Sequence, residues 1–352
     1  MEGTAGKPDV KTWDELMAQP NSSPAVAAKT ALLLGNGFSI AICDRFQYKT
    51  LKEKSSLADE KLKLFEHLGS SDFERVLALL DDVKAALPNK FEGVESEFKS
   101  LHTEIQNALL TAVEAVHPEH KSVKNPVRAV NSELLKFAEV YTVNYDLLLY
   151  WALNAVETNT KRFVDFFYSG EKNEFHLEDD HSRNKRTAIY YLHGALHLQW
   201  QEGQVRKINA KKCAESLKQL VSHNHYPLFI CEGRGEEKQR RIGENPYLHF
   251  AYNLFCALTD IEQVTVLGCS LADRHLVTPL LKWLERKETH RLWISAFGAD
   301  EATRTKNASE IEAKLEAADP KNSRILRNRI HYFDSQTHPI MKAISRAIAQ
   351  KS

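Results

Sequence analysis

Short apolar runs alternate with amphipathic segments along most of the 352-residue chain, and this alternation constrains the fold more than any other feature. The runs of strand length lie at 31–34, 137–143, 187–192, 226–233, 264–270, 291–298 and 329–334. Segments with a helical period lie at 146–153, 247–258 and 275–287. Parallel strands need a long crossover connection, which is usually a helix. The alternation therefore predicts an α/β fold in which helices cover both faces of a largely parallel sheet.

The segment from about 51 to 134 differs from the rest, because its apolar residues recur only at helical spacing. Two amphipathic helices are predicted there, over 70–87 and over 98–116. Ser71 and Glu74 have the spacing of a capping box at the start of the first of these helices. We therefore expect a helical insertion at 51–134 between two strands of the sheet.

The domain limits follow from the same patterns. Residues 1–28 form a polar lead-in in which one short helix is possible, and residues 29–352 are predicted to form a single α/β domain that contains the insertion. Pro118 and Pro126 indicate a loop behind the second amphipathic helix. The charged stretch at 233–245 is predicted to be a solvated connection, or else a mobile lid over a ligand.

Composition excludes several classes of protein. The chain has 47 basic and 47 acidic residues, so its net charge is zero and neither nucleic acid nor an acidic membrane is an expected partner. It has neither an apolar run of membrane-spanning length nor a signal peptide, and we expect a cytoplasmic protein. The 5 cysteines are scattered without zinc-binding spacing, which predicts reduced, mostly buried thiols.

Ligands of open parallel sheets bind at the carboxyl ends of the strands, so each predicted strand exit is a candidate site. The first exit reads Gly35-Asn36-Gly37-Phe38-Ser39. Its glycines could bring the backbone close to a phosphate, and Ser39 could cap the helix that follows. A plain tight turn explains the same residues, because Ile40 replaces the third glycine of a dinucleotide fingerprint and no Walker-type lysine follows.

The next two exits carry polar side chains. Asn144 and Asp146 follow the strand at 137–143, where Asp146 could act as an Asx cap. His193 ends the following strand and is suited to proton transfer near neutral pH, although a buried structural histidine is an alternative. His193 and His197 are four residues apart, but no third ligand is evident and we expect no metal.

The last exit of interest is Gly268-Cys269-Ser270, where small residues allow a ligand to approach. Asp273 follows at the position of a helix N-cap, and His275 is predicted to be a surface residue in the first turn of that helix.

Taken in order, the stretches "GNGFS", "TVNYD", "YLHG" and "GCSLADRH" resemble the sirtuin-like NAD-binding proteins, and most closely the NAD+ hydrolases of bacterial anti-phage defence. The resemblance covers about residues 30 to 300 and implies a Rossmann-like, sirtuin-like sheet. Sirtuin deacylases carry two CxxC pairs for a structural zinc, and this chain has none. Water is therefore the expected acceptor, rather than an acyl-lysine peptide.

The resemblance also implies roles for individual residues. His193 would take a proton from a ribose hydroxyl or from water, Asn144 would orient that water or the ribose, and Asp146 would stabilise positive charge or bind the ribose. The remaining positions would bind NAD+, which is the substrate, and they are Gly35, Asn36, Gly37, Phe38, Ser39, Gly268, Cys269 and Ser270. Phe38 could equally be a core residue.

The expected activity is hydrolysis of NAD+ to ADP-ribose and nicotinamide. The resemblance further implies a defence effector that forms a homo-oligomer or works with an ATPase or another partner. Two alternatives stay open, which are an NAD-dependent protein deacylase and a module that senses NAD or ADP-ribose without turnover.

Overall fold

The protein is described from a computed structural model. The structure describes residues 7–19, 29–86, 92–167, 173–176, 186–201, 203–208, 227–230, 236–321 and 326–350.

Eleven strands occur in the described part of the chain. They are β1 (Val10–Lys11), β2 (Thr30–Leu34), β3 (Glu139–Thr142), β4 (Phe163–Val164), β5 (Thr187–Tyr191), β6 (Gly194–Gln201), β7 (Gln204–Lys207), β8 (Pro227–Phe229), β9 (Gln263–Leu267), β10 (Arg291–Ala296) and β11 (Ile330–Asp334). Eight of them form one sheet in the order β1-β11-β10-β9-β2-β3-β5-β4. Every neighbouring pair in this sheet is parallel, as the sequence predicted.

Helices flank the sheet. In the described residues they are α1 (Trp13–Met17), α2 (Asn36–Ile42), α3 (Tyr48–Lys54), α4 (Asp59–His67), α5 (Phe73–Ala86), α6 (Glu92–Val116), α7 (His120–Leu134), α8 (Leu148–Asn154), α9 (Glu157–Thr160), α10 (Glu236–Glu244), α11 (Pro246–Ala257), α12 (Arg274–Arg286), α13 (Glu301–Ala318) and α14 (Pro339–Ala349). Helices α2 to α7 fill the stretch between β2 and β3, which the sequence predicted to be helical.

The centre of the sheet is apolar on both faces. Every residue of β2, β5 and β9 is buried, which is why these strands are largely apolar, as is typical of strands that are covered on both faces. Strand β2 pairs with β3 on one side and with β9 on the other. The chain runs from β2 towards β3 and β5 in one direction and from β9 towards β10 and β11 in the other. The order of the strands therefore reverses at β2 and β9, and a crevice opens at their carboxyl ends.

Several local predictions were wrong. The described part of the run at 226–233 does not join the parallel sheet, because β8 pairs antiparallel with β6 in a small separate sheet of β7, β6 and β8. Pro126 lies inside α7 rather than in a loop. The polar lead-in supplies β1, which extends the parallel sheet beyond β11.

The starts of two helices also differ from the predictions. The amide of Glu74 is capped by the carboxylate of Asp72 (3.0 Å), so Ser71 and Glu74 do not form the expected capping box. Ser39 does not cap a helix either, because α2 already begins at Asn36 with Gly35 as its N-cap residue. None of the described helices is both long enough and apolar enough to span a membrane.

Candidate functional site

A cavity of about 740 Å³ opens at the carboxyl ends of β2, β3, β5 and β9. Its volume lies in the range of pockets that bind small molecules and cofactors. The structure brings most of the residues predicted for the site to this one cavity, namely Gly35, Asn36, Gly37, Asn144, Asp146, His193, Gly268, Cys269 and Ser270. Asp72, Glu74 and Arg75 on the β2–β3 connection line the cavity as well.

The two glycine-containing loops are packed backbone against backbone. The amide of Gly35 donates to the carbonyl of Leu267 (3.0 Å), and the amide of Gly37 donates to the carbonyl of Gly268 (2.8 Å). A Cβ at residue 35 would lie 2.5 Å from Cα of Cys269, and a Cβ at residue 37 would lie 2.7 Å from Cα of Gly268. The close packing of the two loops therefore requires glycine at residues 35 and 37, whether or not a ligand binds there. Both amides already donate to carbonyl oxygens of the protein and are not available to a ligand. The glycines would help binding only because they let a ligand lie close to the backbone.

Asn144 is buried at the end of β3, and its contacts fix the orientation of its side chain. Its Nδ2 donates to the carbonyl oxygen of Gly35 (2.9 Å) and to Oγ of Ser39 (2.9 Å). A carbonyl can only accept, so the amide nitrogen must be on that side. Both Nδ2 hydrogens are then engaged, and Oδ1 is the atom through which Asn144 can accept a hydrogen bond from a ligand or from water.

Asp146 is held from two sides. Its Oδ1 accepts the amide of Leu148 at the start of α8 (2.8 Å), and its Oδ2 accepts the hydroxyl of Ser39 (2.5 Å). Burial raises the pKa of this carboxyl, and the bonds from Ser39 and Leu148 oppose that rise. The capping interpretation of Asp146 is confirmed. Through Ser39, the same carboxylate also fixes the position of Asn144.

His193 lies in the turn between β5 and β6, the first residue of which is Gly194. Gly194 follows it with φ +78°, and a Cβ there would lie 2.1 Å from the carbonyl oxygen of Leu228. The glycine of the His-Gly pair is therefore required by the entry into β6, where Gly194 pairs with Phe229. This sharp change of direction leaves His193 at the cavity wall while its ring is almost fully buried.

His193 faces a second buried histidine, His275, in the first turn of α12. Their Nε2 atoms lie 2.8 Å apart, and the ring planes are tilted by 35°. Burial is the main cause that lowers the pKa of both rings, to about 4 for His275. Both imidazoles are therefore neutral at pH 7. The prediction that His275 is a surface residue was wrong, since only 1% of it is exposed.

A buried ammonium group lies beside the histidines. Nζ of Lys238 on α10 is 3.0 Å from Oε2 of Glu74 and 3.0 Å from Oδ2 of Asp273. Burial raises the pKa of Glu74 to about 7; the charge of Lys238 opposes this rise, and Asp273 and Asp72 add to it. Burial alone would lower the pKa of Lys238, but the two carboxylates outweigh burial and hold it above its ordinary value.

The arrangement bears on metal binding. His193, Asp273 and His275 each offer a ligand atom, and these atoms lie within 4.8 Å of one another. A cation there would meet the ammonium of Lys238, which already pairs with Asp273. Metal-bound imidazoles almost always donate their second ring nitrogen to a partner, whereas Nδ1 of His275 is buried without one among the described residues. His197, the other histidine considered from the sequence, packs between Tyr150 and Tyr191 instead.

The remaining predicted residues are placed as follows. Phe38 is buried in the core and Ser39 is fully buried, and neither is among the residues that line the cavity. Asn36 reaches the cavity while its Nδ2 donates to the carbonyl of Phe46 (3.1 Å). Burial raises the pKa of the Cys269 thiol to about 11, so this cysteine is a neutral wall group.

The family model called Domain of unknown function (DUF4917) matches residues 32–339. The chain belongs to this family. No curated protein matches the chain. The DUF4917 match begins within β2 and ends at the first residue of α14, so it contains Asn144, His193 and both glycine loops.

Three groups at the DUF4917 site were missed by the sequence analysis, namely Glu74, Lys238 and His275. Glu74 was assigned to a capping box, and residues 236–244 were assigned to a charged connection, although they form α10. Neither Glu74 nor Lys238 could be predicted from the hydrophobic periodicity of its helix, because charged residues at a cavity do not follow that periodicity. The spacing Asp-Arg-His at 273–275 could have indicated His275, since a histidine two residues after an N-cap faces back towards the strand exit.

Proposed function

We propose that this DUF4917 protein is an NAD+ hydrolase that releases nicotinamide and ADP-ribose. One observation carries the proposal, which is that Asn144 and His193 line the same cavity beside the glycine loops of β2 and β9. That cavity lies where the strand order reverses, and open α/β sheets bind nucleotides at such a position. The order of the four sequence motifs, which resembles that of sirtuin-like hydrolases, supports the same chemistry.

The proposed reaction needs few catalytic groups. Nicotinamide leaves NAD+ as a neutral molecule, so its departure needs no general acid. The residues must orient water against the ribose and accept its proton. Oδ1 of Asn144 is free of the internal bonds and supplies an acceptor, and the neutral ring of His193 supplies a base. The glycine loops let the dinucleotide lie close to the backbone.

Charged side chains at the cavity bear on how the cationic nicotinamide ring of the substrate is bound. Asp72, Glu74 and Asp273 line the cavity, and Lys238 neutralises part of their charge. Arg75 and Arg274 also line the cavity, so its charge is mixed, and the carboxylates can favour the pyridinium ring of the substrate only where they lie next to it.

The direct test is to incubate the purified protein with NAD+ and to measure released nicotinamide by chromatography. We expect Asn144→Ala and His193→Ala to lower the rate by about 10²–10⁴. Asn154→Ala and His331→Ala are matched controls of the same residue types, because neither side chain lines the cavity. Equal rates in the wild type and both site variants would contradict the proposal.

Two further measurements separate the alternatives. An acetyl-lysine peptide added with NAD+ detects a deacylase, and calorimetric binding of NAD+ without nicotinamide release indicates a sensing module. The resemblance also leads us to propose that the protein depletes NAD+ in bacterial anti-phage defence. Expression in bacteria should then be toxic for the wild type and harmless for His193→Ala, with cellular NAD+ measured in parallel.

A further inference from the structure

The second histidine of the site, His275, has a geometry that goes beyond packing. Its Nε2 and that of His193 are 2.8 Å apart, and both rings are buried. Two ring nitrogens at this distance must share one hydrogen, because two bare lone pairs or two N–H groups would repel each other. One histidine therefore donates and the other accepts.

The surroundings indicate which ring accepts. The carboxylate of Asp273 lies within 4.8 Å of a ring nitrogen of each histidine, and its charge raises the pKa of His275 against the effect of burial. The ammonium of Lys238 lowers the pKa of both rings. Nε2 of His193 faces His275 and is not available to a ligand, so a base at the cavity must use Nδ1, and Nε2 then carries the hydrogen that His275 accepts.

We infer that His275 is a positioning residue that accepts the Nε2–H of His193, so that Nδ1 is the nitrogen of His193 that meets water or the ribose. The inference rests on the proposed function for its chemical meaning, but not for its geometry. Engagement of Nε2 leaves a single nitrogen of His193 for the ligand. His275 then carries its own hydrogen on Nδ1, which is buried without a partner among the described residues.

The reaction step balances with this arrangement. The oxygen of water bonds to the anomeric carbon of the ribose, and the glycosidic C–N bond breaks. The bonding pair stays on the ring nitrogen of nicotinamide and neutralises the pyridinium. The proton of the attacking water goes to Nδ1 of His193. The positive charge that forms on His193 is then shared with His275 through the Nε2 hydrogen bond, with Asp273 as the nearby anion.

The test begins with the resting protein and needs no turnover. In protein labelled with ¹⁵N-histidine, NMR should show a protonated Nε2 and a bare Nδ1 for His193, assigned by comparison with His193→Asn. In His275→Phe, which keeps a ring but removes the acceptor, this single tautomer should be lost. In His275→Gln, whose amide oxygen reaches the place of Nε2, it should be kept.

Rates of nicotinamide release complete the test. We expect His275→Phe to lower kcat by roughly 10² with little change in KM, because an unpositioned base loses most of its effect. His275→Gln should recover at least about a tenth of the wild-type rate. Melting temperatures identify a variant that has failed to fold, in which case the NMR spectrum of His275→Gln decides alone.

Three results would overturn the inference. They are a bare Nε2 on His193 in the wild type, equal losses in folded His275→Phe and His275→Gln, and a stoichiometric metal ion bound by the purified protein. A protein that shows the stated tautomer but does not release nicotinamide would contradict the proposed function and leave the positioning role intact.

Discussion

The side-chain amide of Asn144 donates to the carbonyl oxygen of Gly35 over 2.9 Å, which ties the exit of β3 to the exit of β2. The same amide donates to Ser39, which in turn donates to Asp146. Three residues from two strand exits thus form one buried chain of hydrogen bonds. The interaction that orients Asn144 for a ligand is therefore also part of what holds the cavity together.

Ser39→Ala is expected to weaken both roles. The change leaves Oδ2 of Asp146 and one hydrogen of Asn144 without their partner in a buried position. An unsatisfied buried group of this kind costs about 1–3 kcal/mol, and more when it is charged. Urea unfolding should show this loss. Ser309→Ala, which removes a hydroxyl bonded within α13, should stay within about 0.5 kcal/mol of the wild type. A stable Ser39→Ala protein would contradict the hydrogen-bond chain.

Gly37→Ala is expected to disturb the contact between the two loops. The new Cβ would lie 2.7 Å from Cα of Gly268, and a backbone atom cannot move aside as a flexible side chain can. We expect a loss of at least about 1–3 kcal/mol, as for other overpacked sites, and weaker NAD+ binding. Gly243→Ala is the matched control, because no atom of the described residues lies within 4 Å of its new Cβ. In the helix α10 it should be neutral or stabilising by up to about 1 kcal/mol. Thermal unfolding compares the two.

The central sheet could be predicted from the sequence because its signal is local. β2, β5 and β9 are buried along their whole length and largely apolar, so burial on both faces is visible in most of the residues themselves. β8 carries a similar run, yet it belongs to the small sheet, since its partner is chosen by the turn at Gly194 and not by its own composition. β1 has only two residues and no such signal.

The site was only partly predictable for a related reason. Asn144 and His193 end predicted parallel strands, and parallel strands bring their ends together. Lys238 lies on a helix far along the chain and reaches the carboxylates of the cavity wall, where it meets Glu74 of α5. A contact between two charged residues 164 positions apart leaves no period or spacing in either segment. The assignment of Glu74 to a capping box also hid its contact with Lys238. In the structure Asp72, and not Glu74, supplies the capping carboxylate of this helix.

The buried histidines predict a loss of stability in acid. Nε2 of His117 accepts the amide of Leu147 (3.2 Å), and burial lowers the pKa of His117 to about 4. Between pH 4 and about 6.5 the unfolded chain binds a proton on this residue and the folded protein does not. The free energy of unfolding therefore falls as the pH drops through that window, by up to about 1.4 kcal/mol per pH unit for this group.

The contribution of His117 can be isolated by His117→Gln, whose amide oxygen can accept the same backbone hydrogen without titrating. Urea unfolding of both proteins should be measured from pH 4 to pH 8. We expect the variant to lose less stability on acidification than the wild type does, because other buried histidines such as His338 still contribute to both curves. Parallel curves would show that His117 does not titrate as its burial implies.

Lys238→Met is expected to give the largest loss of stability. The ammonium is 1% exposed, and its removal leaves Glu74 and Asp273 facing each other without a cation. Breaking a buried ion pair by removing one partner typically costs about 3–5 kcal/mol. Lys282→Met changes an exposed lysine of α12 and should have little effect.

The loss in Lys238→Met should also depend on pH. Lys238 holds the pKa of Glu74 down, so without it that pKa moves above 7 and Glu74 binds a proton already near neutrality. The protonated carboxyl no longer repels Asp273, and the difference in unfolding free energy between variant and wild type should shrink as the pH falls from 8.5 to about 5.5 (a window set by the raised pKa). Adding Glu74→Gln to Lys238→Met should recover part of the stability at pH 8.5. A loss that is the same at both pH values, and unchanged by Glu74→Gln, would show that Lys238 acts through packing of its aliphatic chain instead of its charge.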